Sequence, residues 1–405
     1  MPALDNIRVV DFSQVIFGPA ATQVLADHGA DVIKIERPPA GDLARAFGPW
    51  QDDMSLPFAS LNRGKRSNAG EVKSPEGVAV VQRLLADADV LVHNFRSRAV
   101  MERLGLGYDA VAAAHPRLIY AAGFGYGSSG PYVDRDKAGH ESMAQALSGL
   151  AERFRGPHGT AQRLPFTLSD ITAGMQLAQG ILLALLARER TGRGQQVETA
   201  LLDGVMALQA WESAAILNAG EDVDHGAGGA SDARGNPLDG AVFRTADGEL
   251  MVTALFRPIP RLMADLAQAL NLPALAADQR FADIDALRAN RQSLRALLEP
   301  VFAADTNDTW TERLEAQDIL VAPVRTTAQA LQDPQLAING MIVETAAAQG
   351  APLRFVGSPL RLSDTPVTAA RPAPRVGEHS ADILTAAGYS PDEIDSLRAG
   401  GTIHG

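Results

Sequence analysis

In the first third of the chain, short β-rich apolar runs alternate with stretches whose apolar positions recur every three or four residues. Residues 8–12, 31–36, 90–93 and 118–122 read as strands. Residues 20–27, ending at Gly29, and 74–87, with Pro75 in the first turn, read as helices. Strands alternating with helices predict a parallel sheet covered on both faces. Longer helical patterns follow at 141–152 and 170–190. The turn Thr191-Gly192-Arg193-Gly194 leads to a strand-like run at 196–200 and a helix at 202–219 that ends at Gly220.

The pattern changes at 221–240, which is rich in Gly, Asp and Ala and reads as a loop or linker. A smaller unit follows: a hairpin over 241–254 turning at Asp247-Gly248, then helices at 260–270, 283–302 and 309–316. Beyond Pro323 the pattern is mixed and ends in short helices at 380–387 and 391–399. The expected fold class is α/β. A Rossmann-like large domain with a parallel sheet takes residues 1–200 plus 325–405, a linker takes 201–225, and a smaller α+β domain takes 226–320.

Composition narrows the chemistry. The 405 residues are 46% apolar and 21% charged, enough for a sizeable core. A net charge of −12 argues against a general nucleic-acid or anionic-membrane binder. With no cysteine, disulfides, thiolate metal sites and a Cys nucleophile are excluded. Residues 1–8 lack the apolar core of a signal peptide, so a cytoplasmic location is expected. The longest apolar stretch, near 177–187, holds Gln179 and Gly180; it reads as too short to span a bilayer and as a buried helix.

Asp170 is the chemical candidate. It opens an almost wholly apolar helical run, with Ser169 as the expected N-cap. In that first turn, backbone amides and the helix dipole favour an ionised carboxylate. Such a carboxylate serves as nucleophile or base; the same residue type also simply starts helices. Gly125-Tyr126-Gly127-Ser128-Ser129-Gly130 matches the dinucleotide fingerprint, but Pro131 and Tyr132 follow, and no helix is expected to open there. The turn at 13–19 lacks the glycine pattern of that fingerprint. Histidine spacing gives no zinc motif, so no metal is expected. No Walker motif or nucleophile elbow is present.

The chain resembles the class III CoA-transferases, whose fold the 2-methylacyl-CoA racemases share. The residues that carry the resemblance run end to end. They include Val9-Val10-Asp11-Phe12, Gly18-Pro19, 29–36, Leu61-Asn62-Arg63-Gly64-Lys65-Arg66-Ser67, Asn94-Phe95, Arg103-Leu104-Gly105, Gln145-Ala146, 191–195, Arg280-Phe281 and Gly377-Glu378-His379. The resemblance implies a catalytic aspartate at Asp170, His140 as a second catalytic residue orienting the thioester or acceptor by hydrogen bonding, and a CoA cleft lined by Arg37, Asn94, Arg103 and Lys137. It implies an interlocked homodimer, no tightly bound cofactor, and CoA thioesters and carboxylic acids as substrates. A dicarboxylate acceptor would use Arg45, Arg63 or Arg66. The family's glycine-run lid would fall on Gly226-Ala227-Gly228-Gly229. Ile16 and Phe17 fill the place where some transferases carry glutamine.

His140 leaves an alternative open. Many transferases have Tyr at this place, whereas the racemases pair a His there with the aspartate as two bases. A racemase using His140 and Asp170 is therefore the second reading. A catalytically silent CoA-binding protein is the third.

Overall fold

The computed structural model describes residues 1–156, 158–220, 236–254, 257–345, 351–368 and 371–405. The chain divides into two compact units. The larger holds Met1–Leu150, Arg163–Leu208 and Pro334–Gly405. Its framework is β1 (Arg8–Asp11), α1 (Phe17–Asp27), β2 (Asp31–Glu36), β3 (Arg66–Gly70), α2 (Pro75–Leu85), β4 (Val90–His93), β5 (Ile119–Phe124), α3 (Glu141–Leu147), α4 (Leu168–Thr191), β6 (Gln196–Ala200) and β7 (Ile403–His404).

These strands form one sheet in the order β7-β3-β2-β1-β4-β5-β6. All neighbours are parallel except β7, which pairs antiparallel with β3 at the edge. The six parallel strands thus run 3-2-1-4-5-6, a doubly wound order whose direction reverses between β1 and β4. Val10 pairs with Ile33 on one side and Leu91 on the other, which sets the register at this reversal. Val9, Val32, Val90 and Ile119 point to the layer of α1 and α4; Val10, Ile33, Leu91 and Tyr120 point to the layer of α2 and helices Ser380–Ala386 and Pro391–Ala399. Both faces are covered, so apolar residues run consecutively in β1, β4 and β5, as at Val9-Val10 and Val90-Leu91-Val92. Leu177 and Ile181 of α4 are wholly buried in the first layer, each stabilising the fold by about 2 kcal/mol relative to exposure.

Three strands escape the apolar pattern; edge strand β6 reads Gln-Val-Glu-Thr-Ala and is only partly buried. β3 reads Arg-Ser-Asn-Ala-Gly and is held by its ladder with β2 and by Ser67, which donates to Glu36 at 2.6 Å. β7 is two residues long and exists only through β3.

Several expected helices are broken. The one at 141–152 is α3 and Leu150–Arg153, parted at Gly149 with φ +79°. The one at 202–219 is Leu201–Leu208 and Ala210–Ala219, and the one at 283–302 is Ile284–Ala289 and Arg291–Phe302. By contrast α4 is longer than expected. It runs 24 residues to a left-handed cap at Gly192 and, by length and composition alone, is apolar enough to cross a bilayer. Its inner face is buried, while Met175, Leu182, Leu183 and Leu186 are exposed.

The second unit holds Ala151–Gln162 and Gln209–Asp333. The expected hairpin is present as Ala241–Arg244 and Glu249–Thr253, and Leu320–Pro323 adds a third antiparallel strand. Phe243 stacks on Phe302, which meets Trp310 edge-on in the core of this unit. Gly226-Ala227-Gly228-Gly229 lies outside the described residues.

Candidate active site

In open α/β sheets, ligands sit beyond the carboxyl ends of the strands where strand order reverses. Here that point lies between the ends of β1 and β4. The segment 13–16 crosses it and is clamped from three sides. Asn94, just past β4, accepts from the Gln14 N–H and donates to the Gln14 carbonyl, both at 2.8 Å. Asp42 accepts from the Val15 N–H at 3.0 Å. Lys34 donates to the Ser13 carbonyl at 2.7 Å. Val15 consequently holds φ +68°, a costly conformation for a β-branched residue that persists only where its surroundings impose it.

A buried charge network supports the clamp. Lys34 pairs with Asp42 at 2.8 Å, both fully buried. Lys65 donates to Thr22 at 2.7 Å and Asn62 at 2.9 Å, and lies 3.4 Å from Asp11. Asp11 accepts from Ser13 and Thr22 as well. Burial pushes the Asp11 carboxyl up, but Lys65 and Lys34 outweigh it and hold it below the usual carboxylate range.

α4 is the crossover helix between the parallel strands β5 and β6, so its first turn returns to the same carboxyl edge. A Cβ on Gly174 would lie 2.7 Å from the Phe17 carbonyl; its absence lets α4 close on the start of α1 one turn after Asp170. Ser169 is not the N-cap. Thr167 holds that position without a side-chain bond, and Ser169 is buried inside the helix. The capping group comes from α3. The buried Glu141 carboxylate accepts from the Ser169 N–H at 3.1 Å, the Asp170 N–H at 2.9 Å and the Ser169 hydroxyl at 2.9 Å. Gln145 donates to it at 2.6 Å and accepts from the Leu164 N–H at 2.8 Å.

This arrangement reverses the expected electrostatics of Asp170. The helix amides meant to hold it ionised serve Glu141 instead. Burial, then the charge and hydrogen bond of Glu141, push the Asp170 carboxyl up to about 7. A half-buried carboxyl poised near neutrality at a sheet's carboxyl edge is a functional-site signature with a stated physical cause.

His140 directly precedes Glu141 and is exposed. Its Nδ1 accepts from the Ser142 N–H at 3.2 Å and caps α3. The glycine motif explains its approach. A Cβ on Gly125, just past β5, would lie 2.5 Å from the Gly139 Cα, so two bare backbones touch and carry His140 to the strand end. A single turn, Pro131–Asp134, does open after Gly130, where no helix was expected; it is too short to cradle a dinucleotide.

The other expected residues divide. Arg37 follows β2, is exposed, and has no side-chain partner among the described residues; Arg103 is likewise exposed and unpaired. Lys137 lies 5.1 Å over the Tyr132 ring. Asn94 sits at the reversal point, with its carboxamide engaged by Gln14. The arginines expected to meet a dicarboxylate are not free. Arg45 pairs with Glu36 at 2.6 Å and covers Phe58 at 3.7 Å, Arg63 pairs with Asp27, and Arg66 forks onto Asp31 at 2.8 and 2.6 Å. Each ties one part of the framework to another. Glu141 and the clamp on 13–16 were missed in the sequence, where a Glu in a helix's first turn looks ordinary.

A cavity of about 280 Å³ opens on the opposite face of the sheet, lined by His93, Arg98, Tyr108, Tyr120 and Phe124. Burial pulls His93 down to about 4, leaving an uncharged ring beside Tyr120 and Phe124.

Residues 4–380 match the model of CoA-transferase family III. The chain is 33% identical to a succinate–glutarate CoA-transferase of Agrobacterium fabrum, covering 95% of each chain. It is 32% identical to an acetyl-CoA:oxalate CoA-transferase of Acetobacter aceti, covering 93% of this chain and 94% of that one. Its structure is similar to the crystal structure of a CaiB/BaiF family protein from Brucella suis, with TM-score 0.84, 31% identity, and coverage of 95% and 99%.

Proposed function

This chain belongs to CoA-transferase family III, and from that premise we propose that it passes CoA from an acyl-CoA to a free dicarboxylic acid through a covalent adduct on Asp170. The observation that carries the reading is Asp170 itself, half-buried on the first turn of α4, at the edge where the sheet reverses. The acceptor class is supported by relatives that act on succinate, glutarate and oxalate.

The Asp170 carboxylate attacks the thioester carbonyl, the C–S bond breaks, and a mixed anhydride forms with release of CoA thiolate. The thiolate attacks the aspartyl carbonyl, giving an aspartyl-CoA thioester and the donor's free acid. The acceptor carboxylate repeats the first exchange, and the thiolate then takes the acceptor acyl group and restores Asp170. Each step trades one activated acyl bond for another. Partial desolvation raises the energy of the Asp170 anion and favours its attack. Arg37 and Arg103 supply unpaired guanidinium groups for the CoA phosphates, which suits charge-assisted bonding within an acidic protein. Asn94 and Lys137 flank the same edge.

The exposed apolar residues of α4, and separately Trp211 and Leu217 in the second unit, support a homodimer. Incubation with succinyl-CoA labelled in the CoA moiety and a panel of dicarboxylates tests the function. Label on an acceptor, together with a hydroxylamine-sensitive CoA adduct mapped to Asp170, is the expected result. Folded protein that binds acyl-CoA but transfers to no acid would overturn it.

A further inference from the structure

We propose that His140 is the oxyanion donor of this site, giving the Nε2–H of a fixed neutral tautomer to the acyl oxygen as Asp170 attacks. This rests on the transferase reading above.

Two observations carry it. A helix start usually offers four unpaired amides, a ready oxyanion site. At the start of α4 the three amides that follow the N-cap Thr167 are taken. The Leu168 N–H goes to the Phe166 carbonyl at 3.0 Å, and the Ser169 and Asp170 N–H groups go to Glu141. The helix that bears the nucleophile therefore has no first-turn amide left for the charge that the nucleophile creates. The second observation is the His140 ring. Its Nδ1 accepts from the Ser142 N–H at 3.2 Å, so in the neutral ring the proton is on Nε2. That Nε2–H has no protein partner among the described residues, and the ring is exposed one residue from the carboxylate that grips Asp170.

In the step concerned, an Asp170 oxygen bonds to the acyl carbon and the carbonyl π pair moves onto oxygen. His140 donates a hydrogen bond to that oxygen and transfers no proton. The pair returns as the C–S bond breaks and CoA thiolate leaves. The same geometry disfavours His140 as a base in a two-base racemisation, because in this tautomer the Nδ1 lone pair is engaged and Nε2 carries hydrogen. Tyrosine at this position offers an O–H donor for the same duty.

The test combines spectroscopy and kinetics. Long-range ¹H–¹⁵N spectra of labelled protein should show His140 protonated on Nε2 alone, with the Nε2 signal shifting when a ketone analogue of an acyl-CoA is added. His140→Phe should lower kcat by about 10²–10³-fold with little change in KM, and His140→Gln and His140→Tyr should recover most of the loss. A ring protonated on Nδ1, a Phe variant at wild-type rate, or Gln and Tyr variants as impaired as Phe would each overturn the proposal. Wild-type protein that transfers CoA to no acid would instead overturn the underlying function, since the spectra and the analogue shift do not depend on turnover.

Discussion

Glu141 accepts the backbone N–H of Asp170 at 2.9 Å, so one carboxylate caps the helix that presents the other. The two effects on Asp170 oppose each other. The cap fixes its position, while burial and then the adjacent negative charge raise its pKa to about 7. The attacking form is the anion. The transfer rate should therefore climb with pH through about 7 and level off above it. Glu141→Gln should move that midpoint toward lower pH. A profile of kcat/KM against pH checks both; a rate that is flat from about pH 5.5 to 8.5 would sink the assignment.

The same shift has a consequence for stability. The Asp170 carboxyl titrates near 7 when folded, against an ordinary value of 3.8. Between those values the folded state binds more protons than the unfolded one, so stability falls as pH rises across that window. Asp170→Asn removes this penalty. Its Tm should exceed the wild-type value at pH 8, and the gap should close toward pH 4. A variant less stable than wild type at pH 8 would contradict the sign.

Asn94 acts on the site through segment 13–16. Asn94→Ala leaves the Gln14 N–H and carbonyl unpaired, at a cost of about 1–3 kcal/mol, and lets Val15 relax from its positive φ. Hydrogen exchange at Gln14 and Val15 should quicken in the ligand-free variant, alongside lower kcat/KM. Unchanged exchange there would show that the clamp does not depend on Asn94.

Arg37 and Arg103 should report on the CoA phosphates. Replacing either with Ala should raise KM for the acyl-CoA about tenfold or more while leaving KM for the acid nearly unchanged. Higher salt should raise the wild-type KM for acyl-CoA and affect the double variant less. A KM change confined to the acid would reassign both residues.

Much of this protein follows from local pattern. The apolar runs of β1, β2, β4 and β5 are legible because both faces of a parallel sheet are buried. Asp170 stands out because a carboxylate opens an apolar helix. The polar strand β3 and the two-residue β7 are not legible, since they are held by ladders and side chains distant in sequence. The broken helices turn on single positions, such as Gly149, whose backbone no periodicity reveals. The electrostatics of Asp170 were decided by tertiary structure alone. A helix N-terminus favours an anion, but which anion takes its amides depends on what folds against it, and here Glu141 arrives from 29 residues away. Arg45, Arg63 and Arg66 look free in sequence and are paired in space for the same reason. A sequence sets the inventory of charges, and only packing decides which of them neutralise one another.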